Sequence, residues 1–416
     1  MAQLEEVSYE PFKHLVSERA LTGETMLLNM GPQHPSTHGV LRLLLELDGE
    51  TVINAIPDIG YLHTGVEKNM ESKTYLKAEV MTDRLDYMNT TGNNLAYCMA
   101  VEKLVDLDVP ERAQVIRVII TELQRIASHL VFMGAFGLDL AAMSMFLYCF
   151  REREYIMDIL ELCSGQRMMT TYFRPGGVWR DVPVEFDSAV RNFIKIFPKR
   201  VDEYEALLTK NPILLDRLVG IGFLDGKTAL SHGVTGPTLR ASGVNWDLRK
   251  ARPYIGYEQY EFNVPVRNLD TKRGDTFDRY IVHIEEFRES LKIVEQGLEK
   301  LKKLPNQPVQ SSNRKFVVPP RAEIGVSMEA LIHHFKLWTE GFPAPKASIY
   351  CAVESPRGEL GVYLEGNGGP KPHRVHMRTP SFDNLSAINK MVQGHLVADL
   401  VAILASIDIV LGDIDR

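Results

Sequence analysis

Two apolar runs of this chain flank the sequence Asn29-Met30-Gly31-Pro32-Gln33-His34-Pro35-Ser36-Thr37-His38-Gly39. The runs cover residues 26–28 and 40–47, and they predict strands because short apolar segments bounded by turn residues usually adopt that structure. The prolines and glycines between them argue against helix or sheet ladder. We therefore predict a hairpin with a stiff loop that presents His34 and His38. The alternative interpretation is a surface loop whose histidines bond only to nearby backbone.

Composition narrows the class of protein. A chain of 416 residues can form two closely packed domains. Its net charge of -7 and the lack of a basic stripe argue against a nucleic-acid partner. The four cysteines show no Cys-x-x-Cys pair and no zinc or cluster spacing, which predicts reduced cysteines in a cytoplasmic protein. Residues 1–10 lack the basic region and the apolar core of a signal peptide.

The apolar segment from Leu130 to Phe150 is long enough to span a bilayer. Asp139 lies near its middle, and a carboxylate there costs roughly 3 kcal/mol or more in lipid. Two glycines also divide the segment, so we predict two buried helices, the first beginning near Pro110, with Asp139 at their junction. A buried carboxylate needs a partner or a proton, which makes Asp139 a candidate functional residue.

The remaining pattern predicts an α+β fold with a mainly helical core and antiparallel sheets from the N- and C-terminal sections. We expect three sections, 1–66 with the sheet and its loop, 67–304 with the helices, and 305–416 with strands and a final helix. The apolar stripe of the helix Asp275–Leu304 predicts packing against another helix of this chain, with a partner chain as the alternative. The other expected elements are helices at 83–106, 187–209 and 384–406, and strands at 347–354 and 358–365.

Several standard chemistries have little support. The spacing His34-x-x-x-His38 resembles a metal pair, but Pro35 prevents the helix that would align both rings. Neither a nucleotide-binding glycine motif nor a nucleophile elbow is present. What remains is a tyrosine, Tyr87, together with the loop histidines and Asp139. Such a set can donate protons inside an apolar cavity to a hydrophobic substrate that takes up protons as it is reduced.

Seven motifs of this chain are long or distinctive enough to point to one family. They are Gly31-Pro32-Gln33-His34-Pro35-Ser36-Thr37-His38-Gly39, Tyr61-Leu62-His63-Thr64-Gly65-Val66-Glu67-Lys68, Asp83-Arg84-Leu85-Asp86-Tyr87, Arg151-Glu152-Arg153-Glu154, Leu239-Arg240-Ala241-Ser242-Gly243, Glu354-Ser355-Pro356-Arg357-Gly358 and Gly412-Asp413-Ile414-Asp415-Arg416. Together they resemble the D subunit of respiratory complex I, the NuoD-type family of the proton-pumping NADH:quinone oxidoreductase. The resemblance runs from about Glu24 to the C-terminus. It implies a fold similar to the large subunit of nickel–iron hydrogenases.

The resemblance implies a quinone-reduction pocket built with the iron–sulfur subunit NuoB. His38 and Tyr87 would hold the quinone headgroup, Asp139 would pair with His38 through a direct hydrogen bond, and His34 is a further candidate. The adjacent 4Fe-4S cluster would be held by NuoB, with no cofactor or metal bound by this chain. NuoC, NuoI and the membrane subunit NuoH are the other implied partners. The implied location is the cytoplasmic side of the bacterial plasma membrane, as a peripheral subunit.

Two departures from the related patterns are informative. The stretches comparable to the metal-binding cysteine pairs of hydrogenases, 61–68 and 407–416, contain no cysteine, so hydrogen activation is not expected. Many members of the family carry a histidine near the terminal cluster where this chain has Met168 and Met169. The alternatives to a quinone-reducing subunit are therefore a hydrogen-activating metalloenzyme, disfavoured by the missing thiolates, and a non-catalytic scaffold subunit.

Overall fold

The structure, a computed structural model, describes residues 10–267 and 274–416. The prediction that no signal peptide is present concerns residues 1–10, of which 1–9 lie outside the described residues. A 3-10 turn at Glu10–Phe12 and a short helix α1 (Glu18–Leu21) lead into the first sheet.

Three antiparallel strands form the N-terminal sheet in the order β1 (Met26–Met30), β2 (Arg42–Asp48) and β3 (Thr51–Asp58). The register places Leu45 of β2 opposite Leu28 and Ala55, so the central strand carries the apolar contacts. This confirms the predicted hairpin. Its loop differs in one respect, because Pro35–Thr37 form a single 3-10 turn.

A long run of helices follows, as predicted for residues 67–163. In chain order these helices are α2 (Val66–Glu71), α3 (Tyr75–Thr82), α4 (Thr90–Val105), α5 (Glu111–Asp139) and α6 (Met143–Ser164). The helix predicted from Asp83 begins only at Thr90. The Asp86 carboxylate accepts a hydrogen bond from the backbone N–H of Met88 at 3.1 Å, which holds residues 83–89 in a turn instead.

The predicted helix pair around Asp139 is confirmed, but the reason for the break is different. The glycines of the segment lie inside α5, and the chain turns at residues 140–142, where Ala141 has a φ of 62°. A Cβ atom on Gly137 would lie 2.9 Å from the Cβ of Met145 in α6. The glycine therefore permits close packing of α5 on α6 rather than ending the helix.

The middle of the chain contains a two-stranded hairpin and further helices. They are β4 (Phe173–Arg174), β5 (Gly177–Val178), α7 (Glu185–Leu208), α8 (Pro212–Leu218), α9 (Gly226–Ser231), α10 (Gly236–Ala241), α11 (Leu248–Ala251), a 3-10 turn at Tyr257–Gln259 and α12 (Thr276–Lys302). The stripe of α12 is buried in this chain, with Tyr280, Phe287 and Val294 fully covered and α12 packed on α5. The prediction of packing within the chain is confirmed.

The C-terminal section begins with α13 (Arg321–Ile324) and α14 (Met328–Thr339), and then forms a second antiparallel sheet of β6 (Ser348–Ser355), β7 (Gly358–Gly366) and β8 (Pro372–Arg378). β8 was not predicted. The chain ends in α15 (Pro380–Ser386), α16 (Ile388–Val392), α17 (Val397–Ser406) and α18 (Leu411–Asp415).

The predicted single final helix at 384–406 is wrong. Its middle leaves helical geometry because the backbone of Gly394 and His395 bonds to Val52 of β3, at 2.9 and 2.8 Å. An isolated bridge between Thr51 and Leu396 extends this contact. Tertiary pairing with the first sheet thus overrides the local helical pattern.

Two hydrophobic clusters lie beneath these elements. The larger surrounds α4, α5 and α12, and the smaller joins the N-terminal sheet to the last helices through residues such as Leu43 and Leu404. The α+β class with sheets from both ends of the chain is confirmed. The division into 1–66, 67–304 and 305–416 stays a prediction. Among the described residues, no helix combines the length and the hydropathy needed to cross a bilayer.

Candidate functional site

A pocket with about 510 Å³ of empty space, part of it open to solvent, lies where five segments meet. They are the loop after β1, the turn before α4, the C-terminal half of α5, the turn between β6 and β7, and the residues after α17. Three of the predicted site residues, His38, Tyr87 and Asp139, line it together. The walls are largely apolar and include Val131, Phe132, Ala135, Phe136, Ile409 and Val410.

His38 stands at the end of the loop between β1 and β2. The 3-10 turn begins at His34, whose Nδ1 accepts a hydrogen bond from the backbone N–H of Ser36 at 3.2 Å. Buried Thr37 donates from its hydroxyl to the His34 carbonyl at 3.0 Å, which anchors the turn. His38 itself is exposed and has a φ of 54°. Desolvation by the pocket walls, with a further contribution from Arg357, lowers the pKa of His38, which favours the neutral ring.

Tyr87 is half-buried in the turn before α4. Its close neighbour on the C-terminal segment is Gly412, where an added Cβ would lie 3.2 Å from the Tyr87 ring and 2.4 Å from the Leu85 carbonyl oxygen. Only glycine allows that approach. Burial raises the pKa of Tyr87, with Arg357 opposing the shift, so the phenol keeps its proton. No hydrogen bond joins its hydroxyl to another residue within the described ranges.

Asp139 is the last residue of α5 and is half-buried at the pocket. Desolvation raises the pKa of Asp139, and the interaction with His34 opposes that shift. The predicted direct hydrogen bond between His38 and Asp139 is not formed between these described residues. The 3-10 turn separates the two histidines, so that His34 rather than His38 interacts with the carboxylate. His34 does not line the pocket.

Two charged residues of the pocket wall were missed by sequence reasoning, Arg357 and Asp408. Arg357 donates to Asp86 at 2.7 Å and to Asp408 at 3.1 Å, and all three residues are buried. Burial raises the pKa of Asp408 to about 7, with Arg357 opposing the shift. A signal for Asp408 did exist, because this carboxylate interrupts the apolar run at 400–411 in the way that Asp139 interrupts its own segment.

Behind Asp408 lie two histidines of the helical core, His129 of α5 and His283 of α12. Both are buried, and their ring planes meet edge to face with centroids 4.9 Å apart. Ring nitrogens of the two histidines and a carboxylate oxygen of Asp408 lie within 4.8 Å of one another. Among the residues that the structure describes, this is a group with ligand types that a metal ion could use.

The arrangement suits proton transfer to an apolar guest. The pocket holds a protonated phenol, an imidazole and two carboxyl groups whose acidity is weakened by burial. Apolar walls exclude water from a flat hydrophobic molecule, and the buried guanidinium of Arg357 can stabilise negative charge that develops on it.

Comparisons with known proteins agree on one family. The sequence model described as "Respiratory-chain NADH dehydrogenase, 49 Kd subunit" matches residues 139–416. The D 2 subunit of NADH-quinone oxidoreductase from Chloroflexus aurantiacus is 59% identical over 408 residues, covering 98% of each chain. The D 1 subunit from Roseiflexus castenholzii is also 59% identical, over 98% of this chain and 97% of the relative. The D subunit from Geotalea uraniireducens is 53% identical over 393 residues, or 94% and 99% of the two chains.

Proposed function

Because this chain belongs to the family of the 49 kDa subunit of respiratory-chain NADH dehydrogenase, also called the D subunit of NADH-quinone oxidoreductase, we propose that its pocket reduces quinone. The observation that carries the proposal is the meeting of His38, Tyr87 and Asp139 in one largely apolar cavity. They come from three separate segments of the chain. A quinone ring is flat and apolar, and its two carbonyl oxygens become hydroxyls on reduction.

The chemistry requires two electrons and two protons for each quinone. The electrons would arrive from a 4Fe-4S cluster held by the neighbouring subunit NuoB. The phenolic O–H of Tyr87 and the ring of His38 would provide the protons at the headgroup. Because the neutral ring of His38 is favoured before reduction, this histidine would take up a proton as negative charge develops on the quinone, and Asp139 would stabilise the positively charged form of the loop histidines. The raised pKa of Tyr87 supports a donor role, because the phenol stays protonated until negative charge appears on the substrate.

An exposed apolar patch beside the pocket supports the presence of a partner there. Leu138 at the end of α5 and Met143 and Leu147 at the start of α6 are 44%, 62% and 59% exposed. Exposed apolar side chains grouped around one helix junction are typical of interaction sites. We assign it to subunits that complete the cavity, NuoB foremost, and place NuoC, NuoI and the membrane subunit NuoH in the same proton-pumping complex. The complex would hold this chain on the cytoplasmic side of the membrane, as a peripheral subunit.

Replacement of Tyr87 by Phe tests the proposal. Tyr87→Phe keeps the ring and its packing but removes the phenolic proton, so quinone reduction by the assembled complex should fall on the order of 10²-fold. Electron transfer from NADH to ferricyanide, which bypasses the pocket, should be unchanged. The loss should be larger for short, polar quinone analogues, because they depend more on bonds to the headgroup than on burial of a tail.

Tyr97→Phe provides the matched control. Tyr97 is also buried, and its hydroxyl donates to the Tyr75 carbonyl at 2.9 Å, outside the pocket. Its loss should lower stability without changing the rate of quinone reduction. If Tyr87→Phe reduces quinone at the wild-type rate and with unchanged apparent affinity, the residue is structural, and the chain is a scaffold subunit rather than the site of chemistry.

A further inference from the structure

Three buried polar atoms without hydrogen-bond partners belong to neighbouring residues behind the pocket wall. They are Nδ1 of His129, Nε2 of His283 and Oδ2 of Asp408. One ring nitrogen of each histidine and a carboxylate oxygen of Asp408 lie within 4.8 Å of one another, and Nε2 of His283 is 3.9 Å from Oδ2 of Asp408. Buried polar atoms are rarely left unpaired. Because Asp408 also lines the pocket, this cluster reaches the site of the proposed reaction through that one side chain.

The other ring nitrogens assign the tautomers of both histidines. Nδ1 of His283 lies 2.7 Å from the carbonyl oxygen of Arg279, which can only accept, so this nitrogen carries the hydrogen. Nε2 of His129 lies 2.7 Å from Glu286. Although burial opposes it, Arg240 holds the pKa of Glu286 well below its usual range, and this carboxylate is therefore also an acceptor. Nδ1 of His129 and Nε2 of His283 are consequently bare acceptors, and the second lies 3.9 Å from Oδ2 of Asp408.

Counting donors and acceptors then determines the state of Asp408. If its carboxyl were ionised, Oδ2 and the bare Nε2 of His283 would be two buried acceptors 3.9 Å apart with no donor between them, at the high cost of buried unpaired groups. A proton on Oδ2 turns one of these acceptors into a donor and so replaces repulsion by attraction. We propose, building on the quinone-reducing function above, that Asp408 stores a proton beside His283 and His129 and delivers it to the reduced quinone.

The electrostatics around the cluster support this assignment. Burial raises the pKa of Asp408 to about 7, and burial lowers the pKa of His283 to about 3, so the proton resides on the carboxyl and not on the ring. Burial also lowers the pKa of His129. The titratable and charged groups around Asp408 are Arg357 and Asp86 beside it, Glu286 and His283 from α12, His129 from α5, and His38, Tyr87 and Asp139 across the pocket.

The spacing fits groups bridged by one water molecule better than the ligands of one metal ion. Two ligands of one zinc ion at about 2.1 Å lie roughly 3.4 Å apart in tetrahedral geometry. Two groups bonded to one water molecule at about 2.8 Å lie roughly 4.6 Å apart. The cluster, with separations of 3.9 Å and up to 4.8 Å, fits the second case. The guanidinium of Arg357, which pairs with Asp408, further disfavours a cation.

The step is a simple proton transfer. Two electrons from the iron–sulfur cluster of the partner subunit reduce the quinone and leave negative charge on its oxygens. The O–H bond of Asp408 breaks, an O–H bond forms on one quinone oxygen, and Arg357 compensates the carboxylate that remains. Tyr87 or His38 supplies the proton for the other oxygen. After the quinol leaves, Asp408 takes up a proton from solvent water that enters the pocket. Asp408 is thus a third proton-delivering residue, and each quinone takes two protons from these three residues.

Asp408→Asn in the assembled complex is the direct test. The amide oxygen can still accept from Arg357 and the amide N–H can point toward His283, so the variant keeps the polar surroundings and removes only the transferable proton. NADH-driven reduction of a short-chain ubiquinone should fall on the order of 10²-fold at pH below about 7. The wild-type rate should decline as the pH rises through about 7, and the variant should lack this decline. Electron transfer to ferricyanide should be unchanged.

Asp413→Asn is the matched control, because burial also raises the pKa of Asp413 to about 7, while this residue lies outside the pocket. It should retain the wild-type pH profile. The inference is overturned if Asp408→Asn keeps the wild-type rate and profile, or if Asp413→Asn reproduces its loss. Stoichiometric zinc in the complex that disappears in His283→Asn would also overturn it, in favour of a metal site.

Two further measurements keep the result decisive. If Asp408→Asn fails to assemble, infrared difference spectra of wild-type complex containing isotope-labelled aspartate should show a protonated carboxyl that ionises on quinone reduction, and absence of this signal overturns the inference. A photoreactive quinone separates the two proposals. If this quinone labels the pocket and Asp408→Asn still reduces quinone at the wild-type rate, only the proton store is rejected. If this quinone does not label the pocket, the quinone site itself is rejected.

Discussion

Deep inside this protein, a single buried arginine can pair with two carboxylates. Arg240 is fully buried, donates to Glu354 at 2.7 Å and forms a short ion pair with Glu286. Glu286 in turn orients His129, so this guanidinium acts on the proton-storing cluster through two intermediates. A buried charge that loses its partner is costly, whereas an exposed pair contributes little.

Arg240→Met should therefore destabilise the full chain by about 3–5 kcal/mol, because two buried carboxylates lose their partner. Urea unfolding followed by circular dichroism measures this change. Arg191→Met removes a surface arginine that pairs with Asp187 at 2.9 Å and Glu299 at 2.7 Å, and it should cost less than about 1 kcal/mol. If both variants lost the same free energy of unfolding, burial would not determine how strongly these ion pairs stabilise the chain.

At the scale of elements, the contact between α5 and α6 sets the position of Asp139 in the pocket. α5 ends at Asp139 and α6 begins four residues later at Met143, so any change in their separation moves the junction. Two glycines of α5 face α6 with different clearances. The Cβ position on Gly134 is 3.4 Å from the nearest atom of α6, and that on Gly137 is only 2.9 Å away.

These clearances predict opposite effects of the same substitution in one helix. Gly137→Ala should destabilise the chain by about 1–3 kcal/mol through overpacking against Met145. The Cβ atom that Gly134→Ala adds would lie at an ordinary contact distance from α6. This variant should be neutral or more stable by about 0.5–1 kcal/mol, because alanine has a higher helix propensity than glycine. Thermal unfolding of the two variants measures the difference. A stabilised Gly137→Ala variant would mean that α5 and α6 are packed less closely than these distances indicate.

At the scale of the whole molecule, buried titratable groups make stability depend on pH. The pKa of His283 is about 3 in the folded protein and 6.5 ordinarily. Protonation therefore favours the unfolded chain, and the contribution of this neutral ring is full above pH about 6.5 and is lost as the pH falls toward about 3, by up to about 1.4 kcal/mol per pH unit. Asp408 and Asp413, whose pKa values are raised, change stability in the opposite direction.

His283→Asn isolates this contribution. The asparagine amide can still donate to the Arg279 carbonyl, but it cannot titrate. Between pH ~6.5 and ~4.5 the free energy of unfolding should fall less steeply for the variant than for the wild type, whatever their absolute stabilities. Comparing the two slopes cancels most of the pH dependence that the buried aspartates contribute to both proteins. Parallel slopes would show that His283 titrates normally.

Local sequence determined much of this architecture. The hairpin, the helix pair around Asp139, the α12 stripe and the loop position of His38 all follow from patterns within a few turns or one strand pair, because proline, glycine and apolar spacing act on near neighbours. Two predictions were wrong for the opposite reason, the helix beginning at Asp83 and the continuous helix at 384–406. A turn held by Asp86 and pairing with the first sheet overrode the local preference.

Only the tertiary structure determined the polar wall of the pocket. Arg357 meets Asp86 across 271 positions of sequence, and His129 meets Glu286 across 157. No local pattern can predict which buried donor will find which acceptor, because pairing depends on the segments that folding brings together. Sequence alone therefore identified three residues that line the pocket, and only the packed core determined which charged groups lie behind them.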